Sequence, residues 1–166
     1  MTAARSDRNS NAVPIDSPER RRLPILLRHA WYGLNQAFRR RIAYLGVTPD
    51  QFTVMRTLLE SGEITQRVLT ELMSSDPNTV ASLLERMEKA GLIERKPHEK
   101  DRRAHRLCLL PSGKRKYLEA REIAIALQAE VLGALSESQR EEFLGHLALV
   151  ADACRRAAEQ SPKKTK

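Results

Sequence analysis

Residues 64–113 read ITQRVLTELMSSDPNTVASLLERMEKAGLIERKPHEKDRRAHRLCLLPSG, and the reading of this stretch decides the fold. Its pivot is Asp76-Pro77. An Asp carboxylate can accept the orphan N–H groups of a helix start, and Pro suits the first helical position, where no N–H is needed. The helix opened there carries Val80, Leu83, Leu84 and Met87 at steps of three and four, so one face is apolar. Its other face carries Asn78, Thr79, Ser82 and Arg86, which are short or donor-rich. Just before it, Val68, Leu69, Leu72 and Met73 mark a shorter helix, with Ile64-Thr65-Gln66 opening it and Ser74-Ser75 forming the turn. Two helices joined by a tight turn, the second apolar within and polar without, describe a helix-turn-helix.

Downstream, Gly91 is placed to end the second helix in a left-handed conformation. Leu92 to Lys96 and Arg106 to Leu110 read as two short strands around a charged hairpin, His98 to His105. A basic hairpin directly after a recognition-type helix is the wing of a winged helix. Between Arg86 and Lys116 lie eleven basic and four acidic residues, so nearly all of the chain's net charge of +8 is local. Such concentration suggests a polyanionic partner, with a solvated charge run as the alternative. Lys114, Arg115 and Lys116 fall in the first turns of the helix opened by Pro111, where cations oppose the helix dipole. An approaching phosphate would account for them; a screened surface cluster is the plainer reading.

Working outward, Leu27, Trp31, Leu34, Phe38, Ile42 and Leu45 predict a long amphipathic helix from Pro24 to Leu45, ended by Gly46. Thr48-Pro49 starts another, which runs to about Glu60. Two long helices, about 111–135 and 137–159, close the chain, with the capping box Ser136-Glu137-Ser138-Gln139 between them. The expected fold is mainly α, a winged helix-turn-helix flanked by N- and C-terminal helices. Residues 1–22 read as a disordered polar leader and 160–166 as a basic tail.

The 166 residues suffice for one domain, and at 41% apolar and 30% charged the chain reads as globular. No unbroken apolar run exceeds the five residues of Ile123 to Leu127, against the roughly 20 a membrane span needs. The first 22 residues hold five arginines and no apolar signal core, so export is not expected and the cytoplasm is the simplest compartment. Cys108 and Cys154 form neither a disulfide framework nor a CxxC motif; both read as small hydrophobes. Phosphate-loop, GxSxG and HExxH patterns are missing, which argues against an enzyme. No cofactor and no metal are expected, His98 and His105 being the one pair near ligand spacing.

The stretch from Ile64 to Gly113 closely resembles the MarR family of bacterial winged-helix regulators. The resemblance rests on Ile64-Thr65-Gln66, on Leu83 to Arg95 (LLERMEKAGLIER), and on Asp101-Arg102-Arg103 followed by Leu109, Pro111 and Gly113. Thr48-Pro49-Asp50-Gln51-Phe52 is similar to the start of that family's second helix, and the similarity extends over 23–159. It implies a homodimer, with 47–110 as the DNA-binding lobe and 23–46 and 111–159 as dimerisation helices. Two lobes would face adjacent major grooves of a pseudo-palindromic operator in double-stranded DNA. Asn78, Thr79 and Ser82 would read base edges, joined by Arg86. Asp101 would brace the wing while Arg103 enters the minor groove, and Arg95, Lys96, Lys100, Arg102 and Lys114 would meet phosphates. Plain surface charge remains the alternative for Lys100 and Arg102.

Three positions depart from the family pattern. Ser82 stands where many relatives carry Arg, Leu110 where a capping Thr is usual, and Ser74 where a turn Gly is common. The first leaves the operator sequence open. The resemblance further implies repression modulated by a small phenolic or anionic ligand, with Arg28, His29, Trp31, Tyr32, Phe52 and Arg56 as candidate cleft residues. The competing reading makes Trp31 and Phe52 core and His29 and Arg56 surface. The alternative function is a basic architectural protein that coats DNA with little sequence preference.

Overall fold

Helix starts in this chain are written in local hydrogen bonds. In the computed structural model, which describes residues 22–97 and 105–160, helix α1 spans Leu23–Ile42 and tightens into a 3-10 turn, Ala43–Leu45, that Gly46 ends at φ 66°. Thr48 then caps α2 (Pro49–Ser61) with a complete capping box: its hydroxyl accepts from Gln51 N–H, and the Gln51 side chain accepts from Thr48 N–H. Thr65 caps α3 (Gln66–Leu72), and the Asp76 carboxylate accepts from Asn78 and Thr79 N–H at the head of α4 (Pro77–Lys89). The turn between α3 and α4 passes through Ser74 at φ 49°, a left-handed position at which a side chain other than Gly is strained.

Three strands form one antiparallel sheet in the order β1-β3-β2. β2 (Ile93–Pro97) and β3 (His105–Leu109) are the hairpin strands expected from the sequence. β1 was not expected. Ile64–Thr65, read above as the opening of the third helix, form a two-residue strand whose partners are Leu107 and Arg106. Two residues are too few for an alternating pattern to show, and the pairing is with chain far along the sequence. Thr65 therefore ends a strand with its backbone and starts a helix with its side chain.

The lobe's core sits where these elements meet. Val54, Met55, Leu69, Val80, Leu84, Met87 and Leu107 are fully buried, with Leu92 and Ile93 closing the side toward the sheet. Helix α5 (Pro111–Leu132) leaves from the end of β3. Gly113 lies so close to the chain before β2 that a Cβ there would fall on the Leu92 carbonyl oxygen and within 2.7 Å of Leu109 Cδ1. Ser112 Oγ donates to the Gly91 carbonyl, which ties the same junction. Phe52 stacks on Tyr117 with centroids 5.3 Å apart and meets Phe38 edge-on at 4.9 Å, linking α2, α5 and α1.

The chain divides into two compact units between Ala120 and Arg121. In the second, the end of α5 is closed by Arg140 Nε, which donates to the Leu132 and Leu135 carbonyls. Gln139 Oε1 accepts from both the backbone N–H and the hydroxyl of Ser136 before α6 (Glu137–Gln160). Helix α6 has no buried residue. Among the described residues, no helix is long and apolar enough to cross a membrane.

Candidate nucleic-acid interface

Asp76 sets the geometry of the exposed face of α4. Its Oδ1 accepts from Asn78 N–H at 3.0 Å and from Thr79 N–H at 2.9 Å. The Thr79 side chain, the same residue's N–H and Asn78 N–H hold the Asp76 carboxyl below its usual pKa. Beyond this cap, Asn78, Thr79, Ser82 and Arg86 are all exposed, while Val80, Leu83, Leu84 and Met87 are buried behind them. One side of α4 is thus locked into the core and the other is a rigid row of polar side chains. Because Thr79 also serves the cap, Asn78 and Ser82 are the less encumbered donors and acceptors of the first two turns.

The cations around the sheet sort into three kinds. Arg95 is half-buried, with its Nε 3.5 Å from Glu88, and Lys96 Nζ lies 2.9 Å from Glu94. Both therefore carry an intramolecular partner that a phosphate contact would have to share or displace. Lys114 and Arg115 are exposed on the first turns of α5. Lys116 differs: its Nζ donates to the Leu45 carbonyl at 2.7 Å, so it closes the turn after α1. The sequence grouped these three basic residues together, but the fold gives Lys116 a structural role that only long-range packing reveals. Lys100, Asp101, Arg102 and Arg103 lie outside the described residues, as do the leader 1–21 and the tail 161–166.

The six candidate ligand residues are spread between two settings. Arg28, His29, Trp31 and Tyr32 are exposed on α1, Trp31 at 65%. Phe52 is packed between Phe38 and Tyr117, and Arg56 is exposed on α2. An open cleft of about 400 Å³ lies elsewhere, between Leu58 and Leu59 of α2, Glu94 and Lys96 of β2, Cys108, and Pro111 and Lys114 of α5. Burial and the neighbouring Glu63 carboxylate push the Cys108 thiol above its usual pKa, away from the reactive thiolate. Among the described residues no group of three or more His, Cys, Asp or Glu could hold a metal ion.

The sequence reading missed Glu63. It follows Gly62, which sits at φ 71°, and its Oε2 lies 3.4 Å from Arg106 Nη1 on β3. A lone Glu in a loop carries no periodic signal, so only the folded chain brings it to the wing strands.

Comparison with known proteins bears on this geometry directly. Residues 47–105 match the MarR family model. The transcriptional regulator HosA of Escherichia coli is 31% identical over 120 residues, spanning 69% of this chain and 89% of HosA. The chain belongs to the MarR family. The HTH-type transcriptional repressor MdtR of Bacillus subtilis is 30% identical over 119 residues, covering 72% of this chain and 77% of MdtR. The fold is also that of a mutant MarR from Escherichia coli solved with operator DNA, with a TM-score of 0.75, 20% identity, and coverage of 84% of this chain and 99% of that one. As a MarR-family member the protein is a DNA-binding transcriptional regulator of the winged helix-turn-helix type. Its α4 is the recognition-type helix, and β2 and β3 are the wing strands.

Proposed function

We propose that this regulator acts as a homodimeric, sequence-specific repressor in the cytoplasm, binding a pseudo-palindromic operator. One observation carries the reading: α4 has its apolar side wholly buried while Asn78, Thr79, Ser82 and Arg86 stand exposed in a row. A helix so anchored can enter a major groove without rearrangement, and Asn suits bidentate recognition of adenine. Arg103 enters the minor groove with Asp101 as its brace. Arg95, Lys96, Lys100, Arg102 and Lys114 position the protein on phosphates. The uncovered apolar residues of α6, Phe143, Leu144 and Leu147, each more than a third exposed, support pairing with a second copy. MdtR, a repressor by name, supports the sign of regulation.

A small phenolic or anionic effector completes the proposal, held near Arg28, His29, Trp31, Tyr32, Phe52 and Arg56. The exposure of Trp31 makes its fluorescence a direct reporter. Neither catalysis nor a cofactor enters the mechanism. Selection of sites from a random duplex library at near-physiological salt tests the central claim. Enrichment of an inverted repeat with half-sites about one helical turn, roughly 10 base pairs, apart is the expected result. Unenriched DNA, bound only at low salt, would replace it with the architectural reading.

A further inference from the structure

Lys96 and Arg106 face each other directly across β2 and β3, one rung before the last pair, Pro97 and His105. Like charges at opposed strand positions destabilise a ladder. This pair stands where the two strands part, so the repulsion acts at the root of the wing. Among the described residues, two carboxylates offset it. Glu94 lies 2.9 Å from Lys96, but it belongs to β2 and moves with that strand. Glu63 belongs to a different segment, the loop between α2 and β1, and its Oε2 lies 3.4 Å from Arg106 Nη1.

Glu94, Lys96, Arg106 and Cys108 share one face of the sheet, since Glu94 is opposite Cys108 and Lys96 opposite Arg106. Glu63 and Cys108 line the same open cleft, and the thiol is foremost among the groups that lower the Glu63 carboxyl's pKa, so two alternate positions on this face of β3, Arg106 and Cys108, meet one side chain. β1 gives this side of β3 only two paired residues. We propose that Glu63 is a positioning residue for DNA binding, which pins β3 through Arg106 and Cys108 and thereby sets the direction in which the wing leaves the lobe. The proposal rests on the wing's part in the function proposed above. The thiol, the guanidinium and nearby Lys96 together hold the Glu63 carboxyl below its usual pKa, so it is charged at neutral pH.

The sign of one substitution separates positioning from plain electrostatics. Glu63→Gln removes a negative charge near a DNA-binding surface, and by charge alone it would tighten binding to a polyanion. Loss of positioning weakens it instead. In the full-length protein, amide hydrogen exchange of 93–96 and 105–109 is expected to quicken in Glu63→Gln with the thermal midpoint unchanged. Operator affinity is expected to fall about three- to fivefold, as suits a partly exposed pair. In an Arg103→Ala background the same substitution should have under about half of that effect, because both act through the wing. Unchanged exchange, tighter binding, or an undiminished loss in the Arg103→Ala background overturns the proposal. Faster exchange with operator affinity insensitive to both Glu63→Gln and Arg103→Ala would leave Glu63 as the strand anchor and remove the wing from DNA binding, which is a failure of the function proposed above.

Discussion

Val54, Met55, Leu69, Val80, Leu84, Met87 and Leu107 of the winged lobe are removed from solvent entirely, whereas α6, a longer helix than any in the lobe, buries no residue at all. The lobe's α4 was legible as amphipathic from spacing, and α6 as a long helix behind its capping box. The lobe closes on itself because three helices and a sheet present their apolar faces to one another within about sixty residues, near the lower limit for an independent core. In α6, Phe143 stays 45% exposed and Leu149 67%. The same kind of pattern thus builds a finished core in one place and an unfinished surface in the other. An apolar stripe specifies that something must cover it, but not what.

Substitutions can break this contrast, and their effects on the lobe's own stability should fall in order. Leu84→Ala empties a fully buried site and is expected to cost roughly 2–5 kcal/mol in chemical denaturation. Gly113→Ala comes next, at roughly 1–3 kcal/mol, because the new methyl meets the Leu92 carbonyl and the Leu109 side chain; denaturation midpoints would show it. A loss as small as that of a surface change would mean the α5 junction yields more easily than its packing implies.

Asp76→Ala should lower the thermal midpoint by only a few degrees at neutral pH, and the gap should close in acid. The folded pKa of this carboxyl is lowered by its hydrogen bonds to Thr79 and Asn78. Its contribution is therefore complete above the unfolded value, about 3.9, and fades as pH falls through the folded one. A gap that persists at low pH would show the cap to work without its charge. Smallest for the lobe is Phe143→Glu on α6, expected to leave the lobe's unfolding within about 0.5 kcal/mol of the parent. In sedimentation the same variant should shift toward a single chain, and an unchanged mass would place the dimer contact elsewhere.

Ser74 illustrates how far local chemistry reaches. It occupies a left-handed turn position, φ 49°, which glycine adopts without strain and a residue with a Cβ does not. Ser74→Gly is expected to raise the thermal midpoint slightly, which a melting curve would show.

What the sequence determined by itself was everything governed by neighbours along the chain. The Thr48 and Asp76 caps, the Gly46 and Gly91 stops, the apolar face of α4 and the basic hairpin strands all follow from interactions a few residues long. They were enough to identify the winged helix and the polar face of α4. Only the tertiary structure could decide the rest: the short strand Ile64–Thr65 on β3, the use of Lys116 to close the turn after α1, the placing of Phe52 between Phe38 and Tyr117, and the reach of Glu63 to Arg106. Each joins residues tens of positions apart through a single side chain or a two-residue pairing. Such contacts leave no period in the sequence, because their partners are chosen by where the folded backbone brings them rather than by what lies beside them.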